Sequence, residues 1–485
     1  MPVEKMAGSP SLTHFIKSRR ASRAWIAAIS ACGMFTTEED HHDRIVTSSL
    51  RIGHGILSMF DFIDDLPGDN ATYSPNGLYI PEATDCMRCG LCISVCPTYK
   101  LSQTEAETPR SRIRTIDKII NGNTAVTGEE LRHLNNCTQC RACETVCPSK
   151  MAYGQLFDRA REQRFQNGVG NFLAVMGFKL IENKALFYAV TLIVRLYQKT
   201  GLQFLLRKTG LLRILKLDKA ESLMPEVDIS KLAVRYPTSK QYRGNVALFT
   251  GCISDHFDRK TLLASIKLLN AIGFDVIVPR EQTCCGAIHR HQGNAVIADK
   301  MASLNTDVFN SLDIEAIIYT ASGCGLMLNE YEQNNGDEGN ELKRFGNPLF
   351  DITEFLNLHW PEELKQKGRH VKAKKIVVHE PCSQRNARTE SGNRHQHVYA
   401  LLEKIPEITV IPLPDNQICC GAGGVHMLTH PEIADPLRNI KLAHFEQSEA
   451  DLLLSTNIGC ALHLNTGSAR NKVVHPAVFL AELLT

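Results

Sequence analysis

Sixteen of the 17 cysteines in this sequence fall into tight, repeated groups whose spacing suits metal binding. Two of the groups are four-cysteine runs that each end in proline: Cys86, Cys89, Cys92 and Cys96, then Cys137, Cys140, Cys143 and Cys147. Short spacing lets three thiolates of one loop hold one face of a cubic iron–sulfur cluster, while the fourth, before proline, usually ligates a second cluster. The doubled run therefore predicts two [4Fe–4S] clusters.

The predicted ligands cross between the two runs. The first cluster is expected on Cys86, Cys89, Cys92 and Cys147, and the second on Cys137, Cys140, Cys143 and Cys96. Gly90 gives the first loop the backbone freedom to direct amides at sulfide. The alternative is a pair of four-cysteine zinc sites, but such sites usually join two separated Cys-x-x-Cys units. A helical pattern near Arg112–Ile120 lies between the runs, which favours a helical ferredoxin domain.

The remaining patterned cysteines belong to an internal repeat over residues 244–485. Each copy has a single cysteine, a Cys-Cys-Gly sequence and a Gly-Cys sequence, in the same order and at nearly the same spacing. The cysteines are Cys252, Cys284, Cys285 and Cys324 in the first copy, and Cys382, Cys419, Cys420 and Cys460 in the second. We expect each set to hold a further iron–sulfur cluster or zinc. Buried structural cysteines without metal are the alternative.

Each copy alternates short apolar runs with helical patterns. In the first copy we predict strands near Asn245–Thr250, Phe274–Val278 and Ala316–Tyr319, and helices near Lys260–Ala271 and Val296–Ser311. Such alternation predicts a parallel sheet with right-handed crossovers. The patterned cysteines follow the strands, so they should meet at the carboxyl edge of each sheet, where open α/β folds place their sites.

Five histidines lie near these cysteines in the sequence. They are His289, His291, His379, His426 and His463. Histidine is a common metal ligand and proton carrier. We expect each of them, taken singly, to be a hydrogen-bonding neighbour rather than a ligand.

The expected fold class is α+β and multidomain, with a helical two-cluster ferredoxin domain followed by two repeated α/β Cys-Cys-Gly modules with parallel sheets. The predicted boundaries are 1–80 for a poorly ordered N-terminal extension, 81–165 for the ferredoxin domain, 166–243 for a helical basic linker, 244–365 for the first module and 372–485 for the second. The linker carries nine Lys or Arg between residues 171 and 219, against Glu182 and Asp218. Basic residues on an apolar helix suit anionic lipid headgroups, so a peripheral membrane contact is one hypothesis for this segment. The other is a helical linker packed on the modules, with its basic face solvated or touching a partner.

Composition excludes several classes. The 485 residues have 43% hydrophobic content and a net charge of +2, which is ordinary for a globular protein and argues against nucleic-acid binding. No apolar run reaches the roughly 18 to 20 residues that span a bilayer. A short apolar stretch from Trp25 to Cys32 weakly resembles a lipoprotein cleavage site. Because clusters are assembled in the cytoplasm, we expect a cytoplasmic protein, with any membrane contact on the inner face.

Together these motifs resemble a family with a two-cluster helical ferredoxin domain and two Cys-Cys-Gly modules. Its members include the iron–sulfur subunits of glycolate oxidase and of anaerobic glycerol-3-phosphate dehydrogenase, and the catalytic part of heterodisulfide reductase. The resemblance covers about residues 81–485 and is greatest to the glycolate oxidase protein. The segments that carry it are Thr108-Pro-Arg-Ser-Arg-Ile113, Cys137-Thr-Gln-Cys-Arg-Ala-Cys-Glu-Thr-Val-Cys-Pro148, Thr320-Ala-Ser-Gly-Cys-Gly325 and Thr456-Asn-Ile-Gly-Cys-Ala461.

The resemblance implies an electron-transfer subunit of a flavin-dependent 2-hydroxyacid dehydrogenase of the glycolate or D-lactate type. A partner FAD-containing dehydrogenase subunit would oxidise the substrate, and electrons would pass through this chain toward quinone or another acceptor. The sequence has no flavin or nicotinamide fingerprint, which is consistent with a flavin on another chain. The alternatives are anaerobic glycerol-3-phosphate oxidation and thiol–disulfide reduction of the heterodisulfide reductase kind. The second is disfavoured because Ala321 and Asn457 stand where those reductases have a further cysteine.

Overall fold

The computed structural model describes residues 49–52, 55–58, 86–122, 125–166, 172–215, 217–331, 344–365, 374–387, 394–467 and 473–484. The chain divides into two units, residues 1–68 and 69–485. In the first unit, β1 (Ser49–Ile52) pairs with β2 (Gly55–Ser58) as an antiparallel hairpin. The rest of the extension predicted over residues 1–80 lies outside the described residues.

Short helices surround the two cysteine runs. They are α1 (Pro97–Ser102), α2 (Pro109–Asn121), α3 (Gly128–Asn135), α4 (Ala142–Thr145) and α5 (Tyr153–Gln166), with a 3-10 turn at Glu105–Glu107. Helix α2 begins where the Thr108 side chain accepts the amide of Ser111, and proline occupies its first turn. It ends at Gly122 in the left-handed conformation. Helix α2 is the helix predicted between the runs, and the helical ferredoxin domain that it indicated is confirmed.

A helical linker follows. Its helices are α6 (Phe172–Glu182), α7 (Lys184–Lys199), α8 (Leu202–Thr209), α9 (Leu211–Ile214) and α10 (Asp218–Ser222). After these helices the chain extends into β3 (Arg235–Tyr236), an edge strand that the sequence did not predict. None of the described helices is both long enough and apolar enough to cross a membrane.

The first module is a five-stranded sheet. Its strands after β3 are β4 (Gly244–Phe249), β5 (Phe274–Ile277), β6 (Ala316–Tyr319) and β7 (Leu349–Asp351), and its helices are α11 (Ser254–Phe257), α12 (Arg259–Ala271), α13 (Ala287–His291), α14 (Ala295–Asn310), α15 (Ser322–Asn329), α16 (Ile352–His359) and α17 (Glu362–Lys365). The strand order is β3-β5-β4-β6-β7, and every pairing is parallel except that of β3 with β5.

The second module repeats this arrangement. Its strands are β8 (Lys375–His379), β9 (Thr409–Pro412), β10 (Leu452–Ser455) and β11 (Val473–Val474), and its helices are α18 (Cys382–Arg385), α19 (Gln396–Leu402), α20 (His426–Thr429), α21 (Pro431–Gln447), α22 (Ile458–Asn465) and α23 (Pro476–Glu482). The order is β11-β10-β8-β9, all parallel. With β8 aligned to β4, this is the order of the first module, so the repeat and its parallel sheets are confirmed.

One hydrophobic core joins the two modules. It includes Val246 and Ile318 from the first sheet, Ile376 and Leu454 from the second, and Phe479 from α23. The central strands are buried on both faces, which explains their continuous apolar runs. With both sheets fixed against this core, the loops at their carboxyl edges have defined positions.

Candidate metal centres

The first ferredoxin set lies at an open cavity. Its members are Cys86, Cys89, Cys92 and Cys147, and all four line the cavity together with Gly90, Arg110 and Tyr153. Cys89 is exposed and the other three are half-buried. Burial, with added repulsion from the other three thiolates, raises the pKa of Cys92 to about 11. The four thiols predicted to share a cluster are therefore neighbours.

The second set is more deeply placed. Its members are Cys96, Cys137, Cys140 and Cys143, of which Cys96 and Cys140 are buried. Burial, followed by the charges of Glu144 and the other three thiolates, raises the pKa of Cys143. Cys96, the last cysteine of the first run, thus lies with the second run, and Cys147 lies with the first. This is the grouping of thiols that the crossed ligand assignment requires.

The backbone of the two loops is shaped alike. Arg88 and Gly90 have φ of 52° and 84°, and the matching residues of the second run, Gln139 and Arg141, have φ of 52° and 58°. Such left-handed residues turn successive amides toward the enclosed side of a loop, and the Gln139 amide donates to Cys137 Sγ at 3.4 Å. Non-glycine residues adopt this conformation at a cost, so its repetition indicates a functional constraint.

These residues fit a pair of [4Fe–4S] clusters. Seven of the eight thiols are buried or half-buried, and amide and guanidinium donors point at sulfur, as iron–sulfur proteins require. Among the eight cysteines of the two sets, all of which the structure describes, no thiol hydrogen-bonds to another thiol. No disulfide joins any of the sixteen patterned cysteines in the described structure.

A buried arginine serves the second set. Arg112 is 2% exposed and directs Nη1 at Cys96 Sγ over 3.7 Å. Its Nε donates to the carbonyl of His133 at 2.7 Å, its Nη2 donates to Thr98 Oγ1 at 2.9 Å, and it forms an ion pair with Glu107. A fixed positive charge beside a thiolate ligand favours the reduced state of a cluster. Sequence reasoning did not assign this residue a role.

A second arginine, two residues earlier, serves the first set. Arg110 lines the cavity there, donates Nη1 to the Arg88 carbonyl at 3.4 Å, and pairs through Nε with Glu105 Oε1 at 2.6 Å. Residues two apart on a helix point in different directions, so one turn of α2 supplies an arginine to each set. The signal in the sequence was the Arg-Ser-Arg triplet after the helix start at Thr108.

The cysteines of the first module come together at the edge of its sheet. Cys252 Sγ lies 3.3 Å from Cys284 Sγ. Hydrogen bonds to Cys284 and Cys324, then burial and the charge of Cys324, raise the pKa of Cys285, so these thiols are also neighbours. The amide of Gly286 donates to Cys284 Sγ at 3.5 Å. The turn requires this glycine, because its φ is +85° and a Cβ would lie 3.1 Å from the carbonyl oxygen of Ala298 in α14.

The second module gathers its four cysteines in the same way. Cys382 Sγ lies 4.0 Å from Cys419 Sγ. The backbone amide of Gly421 donates to Cys419 Sγ at 3.4 Å. Cys420 and Cys460 form a buried group with His379, whose ligand atoms all lie within 4.8 Å of one another. The proposed sulfurs of both modules are therefore close enough within each set to share a metal.

The second module also abuts the second ferredoxin set. Cys140 packs against Cys419 and Cys382, and the charge of Cys382 is the largest charge effect on Cys140. Asn386 Nδ2 donates to the Cys140 carbonyl at 2.7 Å, and His426 Nε2 donates to a neighbouring carbonyl of the same loop at 3.1 Å. The sequence contained no signal for this contact, which joins residues 246 positions apart.

All five histidines near the cysteines make hydrogen bonds, as predicted. His289 Nε2 lies 3.2 Å from Glu182 Oε1, His291 Nδ1 lies 3.2 Å from an Asp158 carboxylate oxygen, and His426 and His463 donate to backbone carbonyls. His379 is different. It makes one hydrogen bond, to Ser455, and its ring also reaches the cysteine group.

The linker presents apolar and basic side chains to solvent. Phe204 is 71% exposed and Ile214 is 76% exposed. Lys208 and Arg213 are exposed nearby, whereas Arg207 pairs with Glu221. The apolar side chains that are exposed on α7, α8 and α9 are Leu186, Leu192, Ile193, Leu196, Leu202, Phe204, Leu205, Leu211 and Ile214. Exposed apolar groups in this number suggest an interaction surface.

Three protein-family models match segments of the chain that together include all sixteen patterned cysteines. A 4Fe-4S dicluster domain matches residues 82–151, and a cysteine-rich domain matches residues 246–329 and again 376–465. The segment between them, residues 172–224, matches the linker region of the glycolate oxidase iron–sulfur subunit.

Whole-chain relatives agree with these models. The chain is 31% identical to the probable glycolate oxidase iron–sulfur subunit of Bacillus subtilis (strain 168), over 83% of this chain and 93% of that protein. It is 30% identical to the glycolate oxidase iron–sulfur subunit of Escherichia coli (strain K12), over 80% of this chain and 91% of that protein. It is also 26% identical to lactate utilization protein A of Shouchella clausii (strain KSM-K16), over 50% of this chain and 98% of that protein.

Proposed function

The chain belongs to the family of glycolate oxidase iron–sulfur subunits, and from this premise we propose that it relays electrons within a flavin-dependent 2-hydroxyacid dehydrogenase. The substrate would be glycolate or D-lactate, and a partner FAD-containing subunit would oxidise it. Electrons would leave through this chain toward quinone. The observation that carries the proposal is the pair of crossed four-thiol sets, each with its own arginine.

The residues proposed to hold the two clusters are Cys86, Cys89, Cys92 and Cys147 for one, and Cys137, Cys140, Cys143 and Cys96 for the other. A [4Fe–4S] cluster, when bound there, accepts and releases single electrons, which suits a flavin that holds two. The chain's own contribution is electrostatic. Arg112 and the left-handed loop amides stabilise negative charge at the thiolates, and burial of the second set excludes water.

Each Cys-Cys-Gly module is proposed to bind a metal through its patterned cysteines. The boundaries predicted for the domains are kept in this proposal, with residues 81–165 carrying the two clusters and the modules at 244–365 and 372–485. Reduction of a disulfide by the modules is a weaker candidate. At one of the two positions where such reductases have a further cysteine, Asn457 donates Nδ2 to Cys460 Sγ at 3.3 Å, so an amide occupies that place.

We further propose that the linker rests on the inner face of the cytoplasmic membrane without spanning it. Exposed Phe204 and Ile214 would enter the headgroup region, and Lys208 and Arg213 would contact anionic lipid. The test is co-sedimentation with anionic and neutral vesicles at low and high salt. Replacing Lys208 and Arg213 by Gln should weaken binding to anionic vesicles only. Equal binding by the variant would leave the segment as a linker.

The experiment for electron transfer uses the complex purified anaerobically with its flavoprotein partner. We expect Cys89→Ser and Cys140→Ser each to abolish reduction of a quinone analogue while substrate still bleaches the flavin absorbance. Cys32→Ser, at the only unpatterned cysteine, is the matched control and should change neither step. If the cysteine variants prevented flavin bleaching in an intact complex, this chain would take part in substrate oxidation and the proposal would fail.

A further inference from the structure

The two modules differ at a matched position beside their cysteines. Strand β4 ends at Phe249 and β8 ends at His379, and both strands lead to the first cysteine of their module three residues later. Phe249 is buried and its ring packs on Phe309, with 6.0 Å between the ring centroids. The first module therefore has a hydrocarbon where the second has an imidazole.

In the second module the imidazole is placed as a ligand would be. His379, Cys420 and Cys460 are each no more than 3% exposed, and their ligand atoms lie within 4.8 Å of one another. Ser455, the residue opposite His379 on β10, lies 3.1 Å from Nδ1 through its Oγ. That hydrogen bond fixes the ring and leaves Nε2 for a metal, which is how ligating histidines are usually held.

The spacing of the donor atoms favours a single ion. A tetrahedral zinc ion with bonds of about 2.0 to 2.3 Å sets its ligand atoms roughly 3.3 to 3.8 Å apart. The ligand atoms of His379, Cys420 and Cys460 all lie within 4.8 Å of one another, which is nearer to that spacing than to the spacing a cluster imposes. An iron–sulfur cube needs its thiolates much farther apart because four irons lie between them.

We propose that the second module binds one divalent ion of the zinc class through His379, Cys420, Cys460 and one thiolate of the Cys382–Cys419 pair. Three thiolates and one imidazole form a closed, four-coordinate structural site. In the first module Phe249 takes the matched position, and the imidazole that contacts Cys284 is that of His289 on α13, which also pairs with Glu182. This deepens the proposed function, from which it takes only that the second module binds a metal.

The site would support the neighbouring ferredoxin set. Zinc is not redox active, so electrons would not continue into this module. Its role would be positional, because Asn386 and His426 of the same module hold the Cys140 loop through carbonyl groups. Fixing the cysteine loops of the module would fix those two side chains and hence the loop that carries Cys140.

The test is metal analysis and zinc X-ray absorption on the full-length chain, purified anaerobically. We expect about one zinc per chain, with one nitrogen near 2.0 Å and three sulfurs near 2.3 Å. His379→Phe, which copies the first module, should remove the zinc and leave iron content unchanged. Ser455→Ala should keep the nitrogen ligand but weaken zinc affinity by about tenfold or more in a chelator competition.

Cys32→Ser, at the one cysteine outside the repeated groups, is the control and should leave both zinc and iron unchanged. A zinc shell made only of sulfur in the wild-type protein would overturn the proposal. This measurement needs no variant, so it still tests the proposal if His379→Phe misfolds. Loss of iron rather than zinc in His379→Phe would show that the second module holds an iron–sulfur cluster. Because the readout is zinc, the ferredoxin clusters and the proposed electron transfer can fail or succeed independently.

Discussion

The chain contains two duplications, and their copies have diverged to different extents. The two ferredoxin loops share their left-handed positions, their crossed fourth cysteine and an adjacent arginine. The two modules share strand order and cysteine placement, but differ in what surrounds the sulfurs. A loop that holds three of its four ligands within seven residues carries most of its geometry in itself, so both copies keep it. A module draws its ligands from separate strand ends, so its neighbours can change while the sulfurs stay in place.

The support beneath the Cys-Cys-Gly turn shows this divergence. Asn305 of the first module bonds to the Cys284 carbonyl through Nδ2 at 3.0 Å, whereas the second module uses a buried Lys441, which donates to the Asp415 carbonyl. Burial lowers the pKa of Lys441 to about 8. The second module thus combines a cation and an imidazole near its thiolates, and the first has neither at the matched places.

The largest expected effect concerns the glycine of each turn. An alanine Cβ at 421 would lie 2.6 Å from the Ala434 carbonyl oxygen, against 3.1 Å for the matched contact at 286, and both glycines have positive φ. We expect Gly421→Ala to lower stability by roughly 4 kcal/mol and Gly286→Ala by roughly 2 kcal/mol. Thermal unfolding of the purified proteins measures both. Equal losses would mean that the two turns are equally packed.

A smaller effect is expected on the pH dependence of stability, to which one residue in each module should contribute with opposite sign. The helix that follows the last strand of each module begins at a matched residue, where Asp351 accepts the Thr353 amide at 2.9 Å and His475 accepts the Ala477 amide at 3.0 Å. Burial raises the pKa of Asp351 to about 7 and lowers that of His475 to about 4. The ordinary values are about 3.9 and 6.5.

The two residues should therefore act in opposite directions. Folded Asp351 keeps a proton that the unfolded chain has released, so its contribution to stability falls as pH rises from about 4 to 7. Unfolded His475 binds a proton that the folded chain excludes, so its contribution rises from about pH 4 to 6.5, each with a slope up to roughly 1.4 kcal/mol per pH unit. Between pH 5.5 and 7, the melting temperature of Asp351→Asn should gain on the wild type and that of His475→Asn should fall behind. Trends of the same sign would contradict the assigned pKa shifts.

The smallest expected effect tests the likeness of the ferredoxin loops. Arg112→Lys keeps a charge opposite Glu107 but loses the planar contact with Cys96, so the potential of the second centre should fall by about 60 mV, a factor of ten for one electron. Arg110→Gln should shift only the first centre, and less, because Arg110 is more exposed. Potentiometric titration followed by electron paramagnetic resonance separates the two. A shift of the first centre in Arg112→Lys would show that the arginines are not divided between the sets.

The cysteine sets and the central strands could be predicted because their signals are local. Spacing defines each ferredoxin run, and buried parallel strands show as apolar runs, so β4, β5 and β6 were found within a residue or so of their observed bounds. Strands β7 and β11 were missed because three and two residues carry no recognisable period.

The roles of Arg112 and His379 could not be predicted for another reason. The sequence places His379 near Cys382 and predicts a hydrogen-bonding neighbour, and only the fold brings Cys420 and Cys460 to it. Arg112 reads as an ordinary helical position until α2 packs beside Cys96. Contacts of this kind depend on how distant segments dock, for which the sequence alone gives no spacing.

The most direct test of the account is the iron and acid-labile sulfide content of the full-length chain purified without oxygen. Two [4Fe–4S] clusters predict about eight irons and eight sulfides per chain from the ferredoxin sets. Cys89→Ser and Cys140→Ser should each disturb one cluster and spare the electron paramagnetic resonance signal of the other. Zinc in place of that iron, with no acid-labile sulfide, would contradict the assignment of these eight cysteines and the electron-transfer function that rests on it.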